Sequence, residues 1–276
     1  MTIPAEHPLP AILTQFPQYN RPLGLTAEVV AAASTTNSSL AMIDVGANIG
    51  ETLAIVESYC PGLYTYLCIE PDAEIAELCR YNFSGNGRVQ VEQCFVGENE
   101  GANVFLRDDG RANPTTVLTD DGCAEKCYGG GKLVLLDTIA IPFGEGRRIC
   151  LIKVDTEGYD FSILRSAPNL LKNDKPTLFF EWYPDLLSRL KESVWGGFDY
   201  LGELGYRYFV LFTSTGDYYC KLIDPDTLLL HSLSLVAASD PSLLYFDVFA
   251  STELALCDSL VKKCIQILDT HANPRS

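Results

Sequence analysis

The chain has 276 residues, 47% apolar and 20% charged, which excludes a disordered chain and suffices for one large core without staples. Lys and Arg number 20 and Asp and Glu 36, a formal charge of −16. No basic cluster offsets it, which disfavours nucleic acid and anionic membrane surfaces as partners.

In chain order, residues 1–37 predict an extended arm with one helix over 25–33, laid against a body formed by 38–276. The apolar run LAMIDV (Leu40–Val45) predicts a first strand, and residues 51–60 a helix closed by Pro61-Gly62. YTYLCI (Tyr64–Ile69) predicts a second strand. Asp72 is placed to cap a helix over 73–83, and residues 89–96 predict a third strand. Residues 97–131, rich in Gly, Asp, Asn and Thr, read as a short strand and a long insert loop of the functional kind. ICLIKV (149–154) restarts the buried pattern as a fourth strand, followed by a helix over 159–171 and a fifth strand, TLFFEW (Thr177–Trp182). Residues 206–212 and 244–250 predict a final pair of strands and 254–268 a last helix. Apolar strands alternating with amphipathic helices imply an α/β fold, a doubly wound parallel sheet with helices on both faces.

The opening MTIPAEHPLP shows no secretory leader, and the longest apolar stretch, residues 228–238, is too short to span a bilayer. A soluble, cytoplasmic protein without membrane insertion is expected. The ten cysteines are expected to be reduced and mostly buried, with Cys123-x3-Cys127 the one pair weighed as a zinc site.

Asp44-Val-Gly46-Ala-Asn48-Ile-Gly50 sits where the first strand hands over to the first helix. Glycines there let a ligand lie against bare backbone and helix N–H groups. A dinucleotide pyrophosphate needs the closer spacing G-x-G-x-x-G, whereas S-adenosylmethionine needs room for its amino-acid moiety and an acidic group such as Asp44 near its ammonium. Glu70 ends the second strand, where a carboxylate can accept from both ribose hydroxyls. The alternative for these residues is turn geometry and capping alone.

A second constellation, Lys153-Val-Asp155-Thr-Glu157-Gly158-Tyr159-Asp160, follows the fourth strand. Ligands in open α/β sheets bind beyond the carboxyl ends of strands, near the point where strand order reverses. That expectation brings Asp155, Glu157 and the fifth-strand Glu181 together. Three readings stay open: a structural cluster around Lys153, a site for a divalent cation such as Mg²⁺, and carboxylates that orient or deprotonate an acceptor hydroxyl. His7, His231 and His271 lie outside these motifs.

The runs IDVGANIGET, CIEPD and LIKVDTEGYDFSILRSAPNLLKNDKPTLFFEW, with the arm residues HPLP and FPQYN, resemble the FkbM family of S-adenosylmethionine-dependent methyltransferases. The resemblance implies a Rossmann-like sheet of seven strands with a reversed last hairpin, and O-methylation of a hydroxyl on a sugar, glycan or natural-product acceptor. It carries Asp44, Gly46, Asn48, Gly50 and Glu70 to the cofactor, with Phe95 of the third strand also assigned there. Asp155 and Glu157, with Glu181, go to the active centre. The chain departs from the family pattern at Thr213-Ser214-Thr215-Gly216, where a D-N-x-G turn is usual, and a changed turn implies a changed acceptor if it touches one. The competing classes are a non-catalytic cofactor-binding module and a methyltransferase for a different small molecule. The arm and the 97–131 insert are expected to cover the site.

Overall fold

The computed structural model describes residues 1–34, 39–107, 115–118, 127–239, 243 and 245–272. The arm carries two helices, α1 (Leu9–Gln15) and α2 (Arg21–Ala33), rather than one. Both start on prolines, whose missing N–H costs nothing in a first turn. Then come β1 (Leu40–Val45), α3 (Glu51–Tyr59), β2 (Tyr64–Ile69) and α4 (Ala73–Asn82). Asp72 caps α4 as expected, its Oδ1 accepting from the backbone N–H groups of Glu74 and Ile75 at 2.9 and 3.1 Å.

The expected third strand is two strands that part company, β3 (Val89–Glu92) and β4 (Phe95–Val96). The region read as a long loop holds β5 (Asn103–Arg107), β6 (Thr115–Leu118) and β7 (Cys127–Val134). With β4 they form a small sheet of order β4-β7-β5-β6. Its glycines mislead because they serve packing: a Cβ at Gly130 or Gly131 would stand 2.8 Å from the ring of Phe105 or Phe95. Phe95, Val104, Leu106 and Leu133 make this sheet a core of its own.

A helix not expected from the sequence, α5 (Leu136–Gly144, with Pro142 inside it), leads to β8 (Arg148–Val154). The helix expected over 159–171 is broken into α6 (Asp160–Arg165) and α7 (Pro168–Asn173), since Pro168 can begin a helix but not continue one. The chain continues with β9 (Thr177–Trp182), α8 (Pro184–Arg189), α9 (Gly196–Glu203), β10 (Tyr208–Thr213), β11 (Tyr218–Ile223), α10 (Thr227–Ser239), β12 (Phe246–Ser251) and α11 (Leu254–Ala272).

The main sheet has eight strands, not seven, in the order β11-β10-β12-β9-β8-β1-β2-β3. The extra strand is β11, an antiparallel partner of β10 on the edge. Strands β9, β8, β1, β2 and β3 are parallel, while β12 inserts antiparallel between β9 and β10. Every residue of β1 is buried, as its central place in a sheet covered on both faces requires. Ile43 and Val45 face the core shared with α5, α6, α7 and α9. Met42 faces the core shared with α2, α3 and α11. Strand order reverses at β1 and β8, so a crevice opens where the chain leaves their carboxyl ends. The nine described cysteines are free thiols, and Cys123 lies outside the described residues. No described helix is long and apolar enough to cross a membrane.

Candidate active site

At the end of β1 the chain turns through Gly46, Asn48 and Gly50, all with positive φ. Glycine is required at the first: a Cβ on Gly46 would run into the carbonyl oxygen of Asp155, which follows β8. The N–H groups of Gly46 and Ala47 both donate to the Ile69 carbonyl at 3.0 Å, which ties the turn to the end of β2. Glu70, next in line, closes the same junction. Its Oε2 accepts from the Asn48 N–H at 2.9 Å and its Oε1 from the Asp72 N–H at 3.0 Å. Glu70 thus points at the glycine turn. Burial lifts its pKa to about 7 against the pull of those two N–H groups.

Asp44 and Lys153 are register partners on β1 and β8, facing the same side of the sheet. Asp44 is 0% exposed. The Lys153 ammonium lies 3.2 Å from its Oδ1, 3.3 Å from Asp155 Oδ2, and donates to the Gly46 carbonyl at 3.1 Å. Burial raises the pKa of Asp44, and the Lys153 ammonium, with a smaller contribution from the Thr52 hydroxyl, is what offsets that burial. Burial opposes the ammonium of Lys153, but Asp155, Asp44 and Glu51 outweigh it and hold it protonated.

A cavity of about 220 Å³ lies over this junction. Of the residues picked out in the sequence, Gly46, Asn48, Glu70, Asp155, Glu157 and Glu181 line it. Gly50 and Asp44 do not line it: Gly50 packs on Phe83 and Asp44 is fully buried. Phe95 lines an adjoining apolar pocket that shares Gly46, Pro71 and Thr156 with the cavity. Glu157 holds a left-handed backbone (φ 53°) next to Gly158 (φ 93°), a turn fastened by Asp160. The Asp160 carboxylate, almost fully buried, accepts from Thr156 Oγ1 at 3.1 Å and from the Glu181 N–H at 3.0 Å. One side chain therefore joins the end of β8 to the end of β9.

Several lining residues carried no sequence signal that marked them. Glu51 opens α3 directly after Gly50, and burial raises its pKa to about 7. His7 and Tyr19 come from the arm, from its runs HPLP and FPQYN, as an arm covering the site would bring them, and Tyr245 from the residue before β12. Asp247 stands directly opposite Glu181 across the antiparallel pair β12 and β9. Like charges at that spacing repel. Burial and the surrounding carboxylates push both groups well above the ordinary carboxylate range. Burial likewise raises Tyr19 and Tyr245, which stay neutral hydroxyls 3.4 Å apart.

The raised acids make stability depend on pH. Glu51, Glu70 and Asp160 are each lifted to about 7, so the folded chain holds protons that the unfolded chain releases above the ordinary carboxylate range. Their contribution is present at low pH and is lost as pH rises through about 7. Melting temperature is expected to fall between about pH 5 and about pH 8, with proton release on unfolding; a rise across that window would contradict the assignment.

Among the described residues, no group of three or more His, Cys, Asp or Glu is arranged to hold a metal ion. The methyltransferase FkbM domain family matches residues 44–208, well over half of the chain. The chain belongs to that family. The solved structure of a methyltransferase FkbM from Methylobacillus flagellatus KT is 21% identical, with 68% of this chain and 45% of that one covered and a TM-score of 0.45. The FkbM chain described here thus spans less than half the length of that relative. An O-methyltransferase from Bacillus cereus, solved in complex with SAH, is 11% identical over 92% of this chain and 94% of its own, with a TM-score of 0.43. The precorrin-6y C5,15-methyltransferase of Geobacter metallireducens GS-15 is also 11% identical, over 82% and 86%, with a TM-score of 0.40. A comparison with curated proteins finds no match.

Proposed function

We propose that this FkbM domain binds S-adenosyl-L-methionine at the β1–α3 turn and transfers its methyl group to a hydroxyl of a sugar, glycan or natural-product acceptor. The carrying observation is the shared cavity. Glu70 reaches it from the cofactor side, and Asp155, Glu157 and Glu181 reach it from the ends of β8 and β9. The residues fit the cofactor. The missing Cβ at Gly46 lets the end of β8 close against the glycine turn, so that Asp155 borders the same cavity, and each Glu70 oxygen retains a lone pair beyond its backbone bond to receive a ribose hydroxyl. The apolar pocket beside Phe95, Ile69 and Val96 suits a flat base. Surplus carboxylate around the cavity matches a cationic donor.

When bound, the cofactor supplies an electrophilic methyl group on a good leaving group. The chain's own task is to align the acceptor and keep water out. Glu181, at the end of β9, lines the cavity and hydrogen-bonds the acceptor to orient it. Glu157, presented by its left-handed turn, accepts the hydroxyl proton. Asp155 is engaged by Lys153 and fixes that turn relative to Gly46. Incubation with methyl-labelled donor and a carbohydrate-rich cell extract, followed by mass spectrometry and NMR of labelled products, is the test. The expected label is on an ether oxygen; label confined to nitrogen or carbon products would contradict hydroxyl transfer.

A further inference from the structure

The Thr213-Ser214-Thr215-Gly216 turn departs from the family pattern, yet it lines neither cavity beside the carboxylates. It touches the arm instead. Gly216 has φ 88° and lies so close to the arm that a Cβ there would collide with the Gln18 carbonyl oxygen and stand 2.8 Å from that of Tyr19. Gln18 Nε2 donates to Asp217 Oδ2 at 3.3 Å in the same turn. The other end of the arm is fastened too. Thr2 and Asn82 exchange hydrogen bonds of 2.6 and 3.0 Å, and Asn82 Nδ2 also donates to the Ile49 carbonyl in the glycine turn, at 2.9 Å.

Between these two fastenings the arm sets Tyr19 into the wall of the main cavity and of a smaller one, of about 50 Å³, next to Lys153 and Asp247. The Tyr19 hydroxyl meets that of Tyr245, whose ring lies 5.8 Å from that of Tyr183. Asp155, Glu157 and Glu181 line the same cavity, so phenols and carboxylates share its wall. Phenol rings cover the C–H face of a saturated ring, and both phenols and carboxyl groups pair with hydroxyls. Such a wall suits an uncharged ring that bears several hydroxyls and repels an anionic one.

We propose that Tyr19 is an acceptor-specificity residue, seated over the cavity by the Gly216 turn, so that the changed turn acts on the acceptor through the arm. This rests on the methyl-transfer reading above and adds to it the residue that selects the acceptor. Saturation-transfer NMR with methyl pyranosides as probes, in the presence of saturating S-adenosylhomocysteine, tests it. Wild type is expected to bind a subset of the probes, and Tyr19→Ala to bind them at least about tenfold more weakly, since a hydrogen bond and an aromatic contact are lost. Gly216→Ala is expected to weaken them similarly and to speed hydrogen exchange over residues 2–20.

Because Gly216→Ala strains the β10–β11 hairpin, the Tyr19 variant, which leaves that hairpin untouched, is the deciding one. Unchanged probe binding in Tyr19→Ala, or no probe bound by the wild-type complex, overturns the proposal alone. Failure of wild type to bind S-adenosylhomocysteine overturns the cofactor reading and this proposal with it.

Discussion

Replacing Lys153 with Met is expected to cost about 3–5 kcal/mol of folding stability, the usual penalty for removing one partner of a buried ion pair. The size follows from what is left behind. Asp44 is fully buried and depends chiefly on the Lys153 ammonium 3.2 Å away, with only a smaller contribution from Thr52. The same ammonium also joins Gly46 to Asp155, so its loss loosens the glycine turn as well as exposing the charge imbalance. Chemical denaturation measures the cost. The double change Asp44→Asn with Lys153→Met should recover a large part of it, because the stranded charge is then gone. A loss below about 1 kcal/mol in the single variant would put the pair in the class of solvated surface bridges.

Turnover of Glu157→Gln is expected to fall by about 10²–10⁴, the range for a lost proton acceptor. The change keeps the side chain's size, and the left-handed backbone at φ 53° is as accessible to Gln as to Glu. The Asp160 bonds that hold the turn do not involve the Glu157 carboxylate. S-adenosylhomocysteine affinity should therefore stay within about threefold of wild type, which separates a group acting on the acceptor from one acting on the cofactor. A chelator is expected to leave wild-type turnover unchanged; abolition by chelator and recovery with Mg²⁺ would move these carboxylates to metal binding. Full turnover in both Glu157→Gln and Glu181→Gln would make the cluster structural.

The central strands were legible because they are buried on both faces. LAMIDV, YTYLCI and TLFFEW read as mostly apolar runs and form β1, β2 and β9 with the expected bounds. The edge was not legible. YYCKLI of β11 is half-exposed and mixed in polarity, so neither alternation nor a continuous run marks it. The small sheet hid behind glycines that look like loop residues and serve to admit Phe95 and Phe105. The same division runs through the site. Residues at the ends of β1, β2 and β8 come in local motifs, so Gly46, Asn48, Glu70, Asp155 and Glu157 could be named and do meet in one cavity. Tyr245 reaches it, and Asp247 the smaller cavity beside it, only because β12 inserts antiparallel beside β9, and Tyr19 only because the arm is fastened to the β10–β11 turn. Such long-range placements leave no periodicity in the chain.

Calorimetric titration of S-adenosylhomocysteine into wild type and Glu70→Ala tests the central claim most directly. Glu70 is aimed at the glycine turn through the Asn48 N–H and lines the cavity proposed for the cofactor. Hydrogen bonds to a charged group contribute about 1.5–3 kcal/mol each, so the account predicts binding to wild type, none of NAD, and at least about tenfold weaker binding to Glu70→Ala. No binding by wild type, or equal affinity in the two proteins, would contradict it.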